Sequence, residues 1–69
     1  MTKVMKIEGM MCGHCEARVK KALEALDGVT EALPNHDDGT AKVTLSKDID
    51  NEVLKKVVVV EGYNVIDVR

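Results

Sequence analysis

The apolar residues of this chain switch repeatedly between a spacing of two and a spacing of three or four. The order of those switches limits the fold more than any other feature. Lys3 to Glu8 is short, partly β-branched and ended by Gly9, which reads as a strand. Cys15, Val19, Ala22, Leu23 and Leu26 then fall at i, i+4, i+7, i+8 and i+11, one face of a helix, with Glu16, Lys20, Lys21, Glu24 and Asp27 on the remainder. Gly28 is placed to end that helix as a left-handed cap. Val29–Leu33 and Ala41–Leu45 read as two strands joined through Asn35-His36-Asp37-Asp38-Gly39, whose Asp-Gly pair signals a hairpin. Pro34 cannot donate to a ladder, so its strand should lie at a sheet edge or stop there.

The second half repeats the alternation. Asp50 is an expected N-cap, with Ile49 and Leu54 placed as a hydrophobic staple, and the helix should run through Val60 and stop at Gly62. Val57-Val58-Val59-Val60 alone would favour a strand, because four β-branched residues follow one another. The helical spacing of Val53, Leu54, Val57 and Val58 decides for a helix, with propensity overridden by packing. Tyr63 to Val68 alternates and closes the chain as a strand. The order is β-α-β-β-α-β, an α+β ferredoxin-like arrangement. Right-handed crossovers place two helices on one face of a four-stranded antiparallel sheet.

Sixty-nine residues allow one small domain, expected over residues 1–69. Such a chain buries only about 60% of its unfolded surface, so its core must be well packed. Tyr63 is the single aromatic residue, so that core is aliphatic. A net charge of −2 gives no support to nucleic-acid binding, which wants a clustered basic surface. No apolar run approaches the ~18 residues of a membrane span, and Met1 to Glu8 lacks the core of a signal peptide. The expected location is therefore cytoplasmic, without membrane insertion. In that compartment a CxxC pair is reduced, and metal binding or redox catalysis is favoured over a structural staple.

The only two cysteines, Cys12 and Cys15, lie in Gly9-Met10-Met11-Cys12-Gly13-His14-Cys15, where the first strand gives way to the first helix. Thiolates prefer soft cations such as Cu(I) and Zn(II). Cys15 near the helix start gains from free N–H groups and the positive end of the helix dipole. A closed zinc site wants four ligands, and no second cysteine pair or paired histidines complete one. Two thiolates alone suit a low-coordinate soft ion, with thiol–disulfide exchange as the competing chemistry.

Set on this element order, the segment resembles the heavy-metal-associated domain family, whose pattern Gly-Met-x-Cys-x-x-Cys is matched by Gly9, Met10, Cys12 and Cys15. The likeness continues through the helix that follows, Gly28-Val29 and Gly62-Tyr63, and so covers essentially the whole chain. The resemblance implies Cu(I) held between Cys12 and Cys15. It also implies transfer by ligand exchange to a copper-transporting P-type ATPase metal-binding domain or another copper acceptor, with a copper-bridged homodimer open to the family and no enzymatic activity. Members that handle zinc or lead commonly carry an acidic residue beside the first cysteine, and here that neighbour is Met11. His14 and Tyr63 match the small bacterial copper chaperones; Pro34 and the valine run depart from the pattern. Starting at Met1 and ending at Arg69 favours a free-standing chaperone over an excised ATPase domain. A mercury or zinc carrier remains a further alternative.

Cys-Gly-His-Cys is also the active-site tetrapeptide of protein disulfide isomerases. Those sites occupy a larger thioredoxin fold, usually after a Trp and facing a cis-proline. This chain has no Trp, and its one proline lies in the hairpin region. Of the neighbours, Met10 reads as a core anchor rather than a thioether ligand, and Met11 as an exposed part of a docking surface. His14 reads as a solvent-facing modulator of the thiolates. His36 reads as a satisfied turn residue at the metal-loop end of the sheet. Two readings stand for Tyr63, a partner of a sulfur or an aromatic plug over the core end. Arg18, Lys20 and Lys21 read as a solvated helix face.

Overall fold

A computed structural model describes residues 1–69. The elements are β1 (Thr2–Glu8), α1 (Gly13–Glu24), β2 (Val29–Asn35), β3 (Thr40–Leu45), α2 (Asn51–Val60) and β4 (Asn64–Val68). The strands form one sheet in the order β2-β3-β1-β4, all pairs antiparallel. Met5 lies opposite Ala41 on one side and Val68 on the other. Met5 and Ile7, Ala32, and Ala41, Val43 and Leu45 all turn to one face and are buried. Val19 and Leu23 of α1 and Leu54 and Val58 of α2 meet them there, so both helices cover that face. Val4, Lys6 and Lys42 are exposed on the other. The ferredoxin-like arrangement expected from the spacing is the one observed.

The valine run is helical, and magnitudes explain why. Four valines in place of alanines cost a helix about 2–3 kcal/mol in total. Burying Leu54 and Val58, both fully enclosed, contributes about 1.5–3 kcal/mol each. Both ends of α2 are also fixed. Ile49 and Leu54 are buried together at its start, as the staple requires. At its end the Gly62 N–H donates to the Val59 carbonyl (2.9 Å) and the Tyr63 N–H to the Val58 carbonyl (3.4 Å), with Gly62 at φ +101°, a Schellman closure. Asp50 does occupy the N-cap, but its carboxylate makes no capping bond. Its backbone carbonyl instead accepts from Val53 and Leu54.

Three boundaries differ from expectation. First, α1 ends at Glu24 with Ala25 as its cap, so Gly28 is not the helix cap. The Leu26 N–H donates to the Leu23 carbonyl and the Val29 N–H to the Leu26 carbonyl, which carries the chain through a further tight turn. Gly28, at φ +102°, then redirects it into β2. A Cβ there would lie 2.9 Å from Lys47 side-chain carbons and 3.0 Å from Ile49 Cδ1, so the position needs glycine for conformation and for space. Second, β2 continues through Pro34 to Asn35. This is tolerated because β2 is an edge strand, where a missing N–H breaks no ladder bond. Third, Tyr63 precedes β4, taken up by the helix closure rather than the sheet. The pairing of β1 with β4 also shifts between Lys6 and Ile7, which leaves Ile66 without a partner and exposed. No helix is long and apolar enough to cross a membrane.

Candidate metal centre

The loop between β1 and α1 is anchored at one point and open elsewhere. Met10 is 4% exposed and belongs to the core, whereas Met11, the next residue, is 81% exposed. The expected division between an anchor and a surface residue is therefore observed. Cys12 takes the N-cap position of α1 in extended conformation (φ −156°, ψ 171°) and is exposed. Cys15 follows on the first helical turn, half-buried and packed against the core edge. The spacing of three brings the two sulfurs to 3.5 Å, and both thiols are free. No cluster of three or more His, Cys, Asp or Glu side chains able to hold a metal forms anywhere in the molecule. The arrangement is a two-sulfur bite at the surface, with soft-donor chemistry and open coordination positions.

The electrostatics favour an anionic sulfur at Cys15, whose pKa falls from 9.0 to about 7. The Tyr63 hydroxyl is the largest cause, followed by the backbone at Met11 and the Cys12 side chain; burial opposes them, and the Cys12 backbone adds the smallest effect. The reciprocal effect raises the Tyr63 phenol, first through Cys15. Tyr63 is therefore a partner of the sulfur, and its packing against the core gives it the plug's position as well. Arg18 Nε lies 3.8 Å from Glu61 Oε1, linking α1 to the end of α2. His14 is exposed and is not among the groups that lower Cys15.

His36 is a satisfied turn residue, as expected, but its partner was not foreseen. Glu16 Oε2 accepts from the His36 backbone N–H (2.7 Å) and from its Nδ1 (2.5 Å). This clasp joins the first turn of α1, immediately after Cys15, to the β2–β3 turn. It holds the Glu16 carboxyl below its ordinary range, chiefly through the His36 backbone N–H, and raises His36, chiefly through Glu16. Nothing in the local sequence of either residue signals a pairing across twenty positions. Only the topology brings them together.

Fold and site together define a small βαββαβ domain presenting a surface dithiol. The model of the heavy-metal-associated domain matches residues 4–64, and the chain belongs to that family. A copper chaperone CopZ of Staphylococcus aureus is 35% identical over 68 residues, covering 93% of this chain and 96% of its own length. A mercuric reductase of Acidithiobacillus ferrooxidans is 44% identical over 61 residues, 88% of this chain, but the chain spans only 11% of that enzyme's length. Among solved structures, a CopZ metallochaperone superposes with a TM-score of 0.90 at 33% identity, covering 96% of this chain and all of its own.

Proposed function

We propose that the chain is a cytoplasmic copper chaperone, not an enzyme, that binds Cu(I) through Cys12 and Cys15. It would pass the ion to a copper-transporting P-type ATPase metal-binding domain or a similar acceptor. The observation that carries this reading is the pair of free sulfurs 3.5 Å apart at an exposed helix mouth, with no further ligand cluster beside them. Soft donors and low coordination suit a monovalent soft cation better than zinc, which fills four positions. The likeness to a CopZ chaperone over nearly its full length supports the same cargo.

Exchange follows from the unequal settings of the two cysteines. Cys12 is exposed and sits in the loop, so it meets an incoming thiolate first. Cys15 is held by the helix and by Tyr63. An acceptor thiolate adds to the ion, giving three metal–sulfur bonds, and one original bond then breaks; each step trades one such bond for another. On the scale of a zinc–thiolate bond, ~2.3 Å, sulfurs on opposite sides of an ion sit ~4.6 Å apart. Loading a linear site would thus move the Cys12 sulfur outward while Cys15 stays. Two such domains sharing one ion would give the copper-bridged homodimer.

Anaerobic Cu(I) titration against a competing chelator tests the reading. Cys12→Ser and Cys15→Ser should each abolish tight binding while keeping native amide dispersion, because neither thiol belongs to the buried core. Tight binding that survives both substitutions would end the proposal. The 44% identity to a mercuric reductase supports a second cargo, Hg(II). Competition among Cu(I), Hg(II) and Zn(II) ranks the three. Turnover in an insulin-reduction assay would favour a thiol oxidoreductase instead.

A further inference from the structure

An edge strand in an antiparallel sheet turns the N–H and C=O groups of alternate residues outward, where they offer a template to another strand. Along β2 and into the turn that follows it, the outward series runs through Ala32, Pro34 and His36, and side chains of α1 meet it. The Ala32 N–H donates to Glu24 Oε2 (3.1 Å), and Lys20 Nζ donates to the Ala32 carbonyl (3.1 Å). Pro34 has no N–H to offer. The His36 N–H donates to Glu16 Oε2 (2.7 Å). Glu16, Lys20 and Glu24 recur every four residues and so form one row along the helix. Lys20 and Glu24 are themselves joined at 2.7 Å. The opposite edge has no counterpart: the α2 side chain that does meet the sheet, Asn51, accepts from Lys3 of β1 rather than from β4.

We infer that the Glu16–Lys20–Glu24 row of α1 stands in for a fifth strand and closes the β2 edge against pairing with a second copy of this chain. An incoming strand would have to strip Glu24 and Lys20 from Ala32 and Glu16 from His36 to gain hydrogen bonds there, and would find no donor at Pro34, only its carbonyl. The sheet is thereby kept at four strands on the side where the β2–β3 turn adjoins the metal loop. The inference is independent of which ion the loop carries.

Amide hydrogen exchange and sedimentation equilibrium test it on the full chain without metal. In Glu24→Ala the Ala32 amide should exchange about tenfold faster than in the wild type, whereas Glu24→Gln, which keeps an acceptor oxygen, should restore most of the protection. Lys20→Ala/Glu24→Ala should self-associate at concentrations where the wild type sediments as a monomer, with new amide protection appearing at Ala32 in the associated form. Unchanged Ala32 exchange in Glu24→Ala overturns the inference. So does faster exchange in a double variant that remains monomeric, because the bonds would then exist without guarding the edge. If the double variant loses its native amide dispersion, Glu24→Ala alone carries both measurements.

Discussion

Replacing Tyr63 with Phe removes one hydroxyl and leaves the ring to pack as before, so it isolates the largest influence on Cys15. The Cys15 pKa lies at about 7 rather than 9.0. Four influences lower it, that of the Tyr63 hydroxyl being the largest, and burial opposes them. Their combined effect must therefore exceed two pH units, and the largest of four must exceed a quarter of that. Losing it should move the Cys15 midpoint upward by at least ~0.5, which at pH 7 lowers the thiolate fraction from about one half to about one quarter. The assay is alkylation of the reduced protein across pH 5.5 to 10 (about that range brackets both midpoints), read at Cys15 by fragment mass. The midpoint is the quantity to compare. A thiolate of higher pKa is intrinsically more nucleophilic, so rates at one pH partly cancel. Because the sulfurs are 3.5 Å apart, the Cys15 sulfur itself must be followed in both proteins. A lowered thiol pKa stabilises the fold fully above 9.0, and the stability is lost as the pH falls through about 7. The thermal midpoint of the reduced wild type should thus rise between those values, and less in Tyr63→Phe. An unmoved or lower Cys15 midpoint in the variant would refute the assignment of Tyr63 as the sulfur's partner.

Other expectations test the scaffold. His36 should titrate above 6.5 by NMR and fall back toward it in Glu16→Gln. Its stabilising effect is present below 6.5 and lost as pH rises through the raised value, while that of Glu16 is present above 4.5 and lost as pH falls through its lowered value. Gly28→Ala should cost about 1–2 kcal/mol in a denaturant melt from the left-handed backbone, with the crowding of Lys47 and Ile49 adding to that loss. Leu23→Ala, at a fully enclosed position, should cost about 2–5 kcal/mol, enough to unfold much of a domain this small. A loss below 1 kcal/mol (about the cost of a conservative repacking) would show that the core collapses around the gap.

The element order, the edge position of the Pro34 strand and the dithiol were legible because each rests on local spacing. Leu54 and Val58 outweighed the β-branched run for a reason visible in their i, i+4 placement. The end of α1 was misread because Gly28 fits a cap as well as it fits the turn three residues beyond one. Only the approach of Lys47 and Ile49, far along the chain, distinguishes the two. Tyr63 was legible as a residue near the sulfurs, but its influence on Cys15 depends on the Schellman closure that delivers it there. The Glu16 clasp and the Lys20 and Glu24 contacts were hidden for a simpler reason. A charged helix face looks the same whether it meets water or a strand's backbone.

An aliphatic core has one more consequence. The chain's near-ultraviolet absorbance and its intrinsic emission come from a single phenol, and that phenol sits beside the reactive sulfur. Optical signals from this protein therefore report the state of the ion-carrying loop, while the packed interior stays dark. A melt followed by tyrosine emission measures when the loop lets go, and a melt followed by backbone dichroism measures when the sheet does.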